Sequence, residues 1–137
     1  MNKMNNYTKK LSVTIGIPAF NEQENIAHLL HSILKQKESK FYLKEIIVIS
    51  DASNDGTGDI VRSVSDPRII LIENIARLGQ AQNQNTMLKK FSGDILLLLN
   101  ADVLPQDEHY IDNMVAPFYS NKNLGITSSR VMPLPFP

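Results

Sequence analysis

Three apolar runs of the sequence are each followed at once by acidic and amide side chains. The run VTIGIPAF leads into Asn21 and Glu22, EIIVIS leads into residues 51–55, and ILLLL leads into residues 100–102. Carboxylates accept hydrogen bonds and bind hard divalent cations, whereas amides both donate and accept. A single acid after a strand is commonly a turn residue or a helix cap. Three such groups at equivalent positions favour a ligand site over ordinary turns.

The spacing of the glycines limits which ligand these carboxylates could bind. None of the six glycines fits the G-x-G-x-x-G or G-x-x-x-x-G-K-[ST] patterns that cradle phosphates. Bare carboxylates repel a diphosphate, but a divalent cation placed between the two attracts both. A nucleotide diphosphate with Mg²⁺ or Mn²⁺ is therefore a consistent occupant, with Asp102 as a metal ligand and Asn100 near the ribose or a metal-bound water.

Hydrophobic spacing predicts alternating strands and helices that would place these groups at one edge of a sheet. Strands are predicted at residues 13–17, 45–50, 69–72, 94–99 and 124–131, and helices after a capping box at Asn21 and Glu24, then at 58–64, 79–91 and 107–118. Continuously apolar strands are typical of a parallel sheet covered by helices on both faces, so the fold class is α/β and ILLLL is expected to be a central strand. Ligands of such sheets bind beyond the carboxyl ends of the strands.

The composition excludes several kinds of protein. Fourteen Lys and Arg balance fourteen Asp and Glu, so no basic field attracts nucleic acid, and the absence of Cys excludes a thiolate metal site or a disulfide scaffold. No run approaches the ~20 apolar residues of a membrane span. Residues 1–10 are polar, lack the apolar core of a signal peptide and are expected to be disordered or loosely tethered. We expect a cytoplasmic chain, at the cytoplasmic face of a membrane if the full-length protein continues.

Three blocks of the sequence resemble glycosyltransferase family 2 and its Rossmann-like GT-A fold. They are VTIGIPAFNEQENIAHLLHSIL, EIIVISDASNDGTGDIV and GDILLLLNADVLP, in the family's order and spacing, and they span residues 13–105. The resemblance implies that residues 11–137 are the nucleotide-sugar-binding part of a GT-A domain, without the acceptor part. It implies that Pro18, Ala19, Phe20 and Glu22 pack around the nucleoside, that Asp51 accepts a hydrogen bond from the base, that Arg77, Gly79 and Asn85 lie near the diphosphate and donor sugar, and that Asn100, Ala101 and Asp102 form a D-x-D-type motif.

The chemistry of Asp51 narrows the choice of base. An ionised carboxylate only accepts hydrogen bonds. Uracil and thymine offer an N3–H at the relevant edge, whereas cytosine offers an acceptor there. UDP or dTDP donors are therefore favoured over CDP donors, and guanine, which also carries suitable donors, stays open.

Two features depart from the family pattern. The first acid of the D-x-D motif is Asn100, so metal ligation rests on Asp102 and the phosphates. After Asp112 the sequence has no Asp or Glu, although inverting family members use a downstream carboxylate as general base. The resemblance thus implies metal-dependent, inverting transfer of a sugar from a nucleotide-diphosphate donor to the hydroxyl of a glycan or lipid-linked glycan, with no catalytic base within this chain.

Two other functions stay open on the sequence alone. A nucleotide-sugar-binding module without turnover would account for the missing base. A sugar-nucleotide nucleotidyltransferase would have a related sheet, but it would show a glycine-rich, Arg-bearing loop after the first strand, where this chain has PAFNEQEN.

Overall fold

A four-stranded parallel sheet lies at the centre of the fold in the computed structural model, which describes residues 9–133. In the spatial order β3-β2-β1-β4, the strands are β1 (Leu11–Ala19), β2 (Phe41–Ser50), β3 (Ile69–Glu73) and β4 (Ile95–Leu98). The register pairs Ala19 with Ser50 and Gly16 with Leu98. Because every pair is parallel, all four strands end at the same edge.

Helices cover both faces of this sheet. They are α1 (Ile26–Leu34), α2 (Thr57–Ser63), α3 (Gln80–Lys90) and α4 (Tyr110–Ser120). One apolar cluster joins Val13 and Ile17 of β1 to α1, α2 and α4, and a second joins Ile47 of β2 to Met87 of α3. The alternation along a strand puts these clusters on opposite faces. The predicted α/β class with helices on both faces is confirmed.

The helix α3 approaches the sheet closely because β1 carries a glycine. A Cβ on Gly16 would lie 2.7 Å from the Sδ atom of Met87. Met87 is fully buried, and Asn83 is the other buried side chain of this otherwise polar helix. The close packing fixes α3, and with it the loop that precedes α3, against the middle of the sheet.

The predicted capping box at the start of α1 is wrong. The helix begins at Ile26, and Asn25, at its N-cap, makes no capping hydrogen bond through its side chain. Asn21 has a positive φ of 53°, which turns the chain before the helix starts. Its side-chain oxygen accepts the backbone N–H of Asn54 instead, at 2.9 Å. A partner distant in sequence replaces the local one.

Two expectations about the end of the sheet are also wrong. Within residues 9–133, β4 is an edge strand that pairs only with β1, and Leu98 is 38% exposed. The apolar run is explained by the faces of the strand, since Ile95 and Leu97 pack on one cluster and Leu96 on the other. No strand forms over residues 124–131.

The segment predicted as the fifth strand lies along α4 instead. Thr127 Oγ1 donates to the Met114 carbonyl at 3.2 Å, and the hydroxyls of Tyr110 and Ser129 are 2.8 Å apart. These side-chain contacts hold the segment without a backbone ladder.

Residues 1–8 of the N-terminal segment, and residues 134–137, lie outside the described residues. In the part that is described, no helix is both long enough and apolar enough to cross a membrane.

Candidate nucleotide-binding site

The strand order creates a topological switch point between β1 and β4. From β1 the chain continues outward through β2 and β3, whereas β4 returns to the opposite side of β1. The connections after β1 and β4 therefore leave the carboxyl edge in opposite directions. Open α/β sheets bind their ligands in the crevice that such a divergence leaves. Residues 18–22 and 99–102 flank it here.

The loops after β1 and β2 are fastened to each other by side chains. The Asn21 N–H donates to Ser53 Oγ at 3.1 Å, and the Glu22 N–H donates to Thr57 Oγ1 at 2.8 Å. The Asn54 N–H donates in return to Asn21 Oδ1. These bonds hold Asn21 in its left-handed conformation, which Asn tolerates better than most residues. The two loops form one connected rim over the strand ends.

Asp51 is the first residue after β2, and its carboxylate is turned inward. The residue is 4% exposed. Oδ1 accepts the Leu78 N–H and the Asn74 side-chain amide, both at 2.8 Å, and Oδ2 accepts the Gly79 N–H at 2.9 Å. Burial alone raises the pKa, but the hydrogen bonds from Leu78, Asn74 and Gly79 outweigh it and lower the pKa of Asp51 to about 2. The ionised group ties the β3–α3 loop to the end of β2.

Asn74 and Asn83 complete this buried polar network. The Asn74 N–H donates to the Ser50 carbonyl at 2.9 Å, directly after β3. Its Nδ2 donates to Asp51 and also to Asn83 Oδ1, each at 2.8 Å. Asn83 is 2% exposed. The orientation of the Asn74 amide follows from chemistry, because a carboxylate can only accept.

Phe20 and Arg77 reach each other from two different loops. The guanidinium carbon of Arg77 lies 3.8 Å from the centroid of the Phe20 ring, a cation–π contact. Phe20 follows the half-buried Pro18 and the buried Ala19, which end β1, whereas Arg77 belongs to the exposed loop before α3. The contact places an aromatic face and a permanent positive charge together at the carboxyl edge.

The segment after β4 presents two polar side chains to solvent around a buried one. The Leu99 N–H extends the ladder by donating to the Gly16 carbonyl at 3.0 Å. Ala101 is 4% exposed, whereas Asn100 and Asp102 on either side of it are exposed. The burial of Ala101 thus fixes the segment.

Asp102 is the candidate ligand for a divalent cation at this edge, since its side chain is exposed at the end of the segment after β4. Within residues 9–133, no group of three or more His, Asp and Glu side chains is placed to hold a metal ion. Over the same residues, the Asp102 carboxylate has neither a hydrogen-bond donor nor an ion-pair partner. A free, exposed carboxylate fits Mg²⁺ or Mn²⁺ of the kind that keeps several waters and takes its other ligands from phosphates.

The other three predicted site residues, Gly79, Glu22 and Asn85, differ in their surroundings. Gly79 has a φ of 87°, which favours glycine, and its N–H points at Asp51. The Glu22 carboxylate accepts from the Asn25 side chain at 2.9 Å, so it is directed towards the start of α1. Asn85 is exposed on α3, and within the described part of the chain no side-chain hydrogen bond links it to the other site residues.

An open groove of about 740 Å³ continues from the switch point along β4. Its lining includes the polar residues Gln80, Gln84 and Asn100 and the apolar residues Leu97 and Phe118. The groove therefore reaches the segment that carries Asp102, on the side of β1 opposite to β2 and Asp51.

Sequence reasoning missed Asn74 and Asn83. The rule that selected the residues after the first, second and fourth strands would have selected Asn74 as well, since it follows IILIE directly. Asn83 gave no such sign, because it lies in a run of Gln and Asn whose other members are more exposed.

The family model described as "Glycosyl transferase family 2" matches residues 14–133. The chain belongs to this family. Among curated relatives, it is 36% identical over 101 residues to "Glycosyltransferase AglE" of Haloferax volcanii, a match that covers 70% of this chain and 32% of that protein. It is 36% identical over 90 residues to "UDP-Glc:alpha-D-GlcNAc-diphosphoundecaprenol beta-1,3-glucosyltransferase WfgD" of Escherichia coli, which covers 66% of this chain and 34% of that protein.

A solved structure with bound ligands has the same fold. The mannosyltransferase PcManGT from Pyrobaculum calidifontis, in complex with GDP-Man and Mn²⁺, superposes with a TM-score of 0.72 at 32% identity, over 81% of this chain and 33% of that one. The fold of the chain is therefore that of the GT-A glycosyltransferases. The chain spans about a third of the length of these relatives.

Proposed function

We propose that the chain binds a UDP- or dTDP-linked sugar at the carboxyl edge of its sheet, as the donor site of a glycosyltransferase. The observation that carries the proposal is the convergence at the switch point of the Phe20–Arg77 pair, the Asp51 network and the free Asp102 carboxylate. Membership of family 2 supports sugar transfer as the reaction of the whole protein.

The diphosphate of the donor would lie between Arg77 and a divalent cation held by Asp102. Arg77 supplies a permanent positive charge on an exposed loop, and its stacking on Phe20 orients the guanidinium. When bound, the cation acts as a Lewis acid that stabilises the charge on the leaving diphosphate. The neutral Asn100 would reach the ribose or a metal-bound water. Ala101 lies between Asn100 and Asp102 and keeps their side chains apart.

The base has to be argued from this chain's own residues, because the relatives differ. The name of the E. coli relative includes UDP-Glc, whereas the P. calidifontis structure holds GDP-Man. Asp51 supports a base with an N–H donor, and therefore uracil or thymine over cytosine. A nucleotide that presents an acceptor there would meet an ionised carboxylate.

The general base of an inverting transfer is proposed to lie outside these residues. The sequence has no Asp or Glu after Asp112, and His109, at the N-cap of α4, is the one late alternative. His109 is exposed and lies beside Glu108, with 3.7 Å between its Nε2 and the carboxylate. We therefore expect the 137-residue chain to bind donors without transferring the sugar. That outcome is also the one expected of a binding module without turnover.

The test of the base compares nucleotides, and the test of the catalytic base uses one variant. The chain is titrated calorimetrically with UDP, dTDP and CDP in the presence of Mn²⁺, and UDP-sugars are then assayed for transfer and hydrolysis. UDP and dTDP should bind about tenfold or more tightly than CDP, as loss of one charged hydrogen bond requires. Equal binding of UDP and CDP would contradict base selection by Asp51. Turnover that His109→Ala abolishes would place the base in this chain, and turnover that survives this change would contradict an inverting mechanism with a protein base.

A further inference from the structure

The hydrogen bonds at Asp51 are distributed unequally between its two oxygens. A carboxylate oxygen has about two acceptor positions. Oδ1 already accepts two donors, the Leu78 N–H and the Asn74 amide, both at 2.8 Å. Oδ2 accepts one, the Gly79 N–H at 2.9 Å. Because the residue is 4% exposed, the carboxylate offers a ligand at most one position, on Oδ2.

Asn74 is the one donor in this set that comes from a side chain. The Leu78 and Gly79 amides belong to the backbone of the β3–α3 loop and would be present with any residue type there except proline. Two further bonds hold Asn74 in place. Its backbone N–H donates to the Ser50 carbonyl, and the second hydrogen on its side-chain Nδ2 is donated to Asn83 Oδ1. It is therefore fixed with one hydrogen on Oδ1.

The number of open acceptor positions decides which base edge the carboxylate can bind. The imide of uracil or thymine presents one N–H, which a single position satisfies. Guanine presents two parallel donors, N1–H and the 2-amino group, and a carboxylate binds both by using one oxygen for each. With Oδ1 occupied, the 2-amino group would lose water and find no acceptor, which costs affinity.

We propose that Asn74 is a specificity-determining residue, which occupies Asp51 Oδ1 and so restricts the site to bases that present one N–H donor. The proposal rests on the proposed function, because it assumes that Asp51 faces the base of a bound nucleotide. It adds the exclusion of guanine, which the type of residue at position 51 does not provide.

The experiment uses a pair of ligands that differ only in the 2-amino group. Inosine 5′-diphosphate keeps the N1–H of GDP and lacks the amino group. Both are titrated into the 137-residue chain and into its Asn74→Ala variant, with Mg²⁺ present and with UDP as the reference ligand. The matched control is Asn113→Ala, since Asn113 is exposed on α4 and its neighbour Asp112 bonds to Lys40, at the opposite end of β2 from Asp51.

In the parent chain and in Asn113→Ala, GDP should bind no more tightly than inosine diphosphate. In Asn74→Ala, the freed Oδ1 can accept the 2-amino group, so GDP should bind about tenfold more tightly than inosine diphosphate. A purely structural role of Asn74 would weaken both ligands equally and leave their ratio unchanged, which would overturn the proposal. If the variant does not fold, the parent alone decides, because a clear preference for GDP over inosine diphosphate would overturn the proposal and its absence would support it. Failure of the parent to bind any of the three nucleotides would overturn the proposed function itself, whereas UDP binding with a GDP preference would overturn this inference alone.

Discussion

Replacing Asp51 by Asn should destabilise the chain, because the native carboxylate accepts three donors and an amide cannot. Asn provides one oxygen in place of two, and its NH₂ group must then face an N–H of Leu78, Gly79 or Asn74. The substitution also changes almost no volume, so the loss reports on hydrogen bonding and charge.

The size of this effect follows from the pKa of Asp51. A decrease from 3.8 to about 2 means that the folded state favours the charged form. At ~1.4 kcal/mol per pKa unit, this amounts to about 2 kcal/mol of stability near neutral pH. The donor left facing a donor adds about 1 kcal/mol, so the expected loss is about 3 kcal/mol.

The assay is urea denaturation followed by circular dichroism. For a domain of this size, a loss of about 3 kcal/mol lowers the midpoint by roughly 1–2 M urea at an unchanged m-value. Asp102→Asn is the matched control, because the same chemical change at an exposed carboxylate should alter the stability by less than about 0.5 kcal/mol. An Asp51→Asn midpoint equal to that of the control would refute the proposed network.

The pH dependence gives this prediction a second arm. A carboxylate with a lowered folded-state pKa stabilises the fold above its unfolded value of 3.8, and this stabilisation is lost as the pH falls towards about 2. The stability difference between the parent chain and Asp51→Asn should therefore be constant above about pH 5 and should shrink below pH 4. A difference that stays constant down to pH 2.5 would show that the charge of Asp51 contributes nothing.

Two further predictions concern the metal and the packing of the sheet. Asp102→Asn should weaken Mn²⁺-dependent binding of UDP much more than metal-free binding, because it removes the carboxylate that is proposed to hold the metal; equal affinities of variant and parent with Mn²⁺ present would exclude Asp102 as a ligand. Gly93→Ala should cost about 2 kcal/mol or more in urea denaturation, since its Cβ would lie 2.8 Å from the Thr14 backbone nitrogen and 3.0 Å from the Ser12 carbonyl oxygen, whereas Gly125→Ala, with no atom within 4 Å, should cost little.

The sequence predicted the elements whose pattern depends on burial. The stripe of Ile26, Leu29, Leu30 and Ile33 predicted α1, and four continuously apolar runs predicted the four strands. These patterns reflect burial, because helices cover both faces of the sheet and bury β1 and β2 most completely.

The errors arose where contacts distant in sequence decide the structure. The apolar run of β4 indicates that both faces of this strand pack on apolar clusters. It carries no information about whether both edges of the strand are paired. Asn21 could cap a helix locally, but the N–H of Asn54 is a partner that no local pattern reveals. The segment 124–131 is apolar at intervals, yet it contacts α4 through side chains alone.

The same distinction applies to the candidate site, where strand order could be used for prediction and contacts distant in sequence could not. The rule that parallel strands end together was sufficient to bring Phe20, Asp51 and Asp102 to one edge. The inward turn of Asp51 could not be predicted, because it depends on the β3–α3 loop folding back over the end of β2. That contact also explains why Asn83 is buried and Asn74 is partly buried in segments with little hydrophobic pattern.

The claim that a nucleoside diphosphate binds at the carboxyl edge is tested most directly by NMR. A ¹⁵N-labelled chain is titrated with UDP in the presence of Mg²⁺, and the backbone amide resonances are followed. The account predicts little change at the amino-terminal ends of the strands. The largest shifts should fall on Ala19 and Phe20, on Asp51 and Ala52, on Leu78 and Gly79, and on Ala101 and Asp102. Shifts confined to the apolar part of the groove along β4, or no shifts at all at saturating UDP, would contradict it.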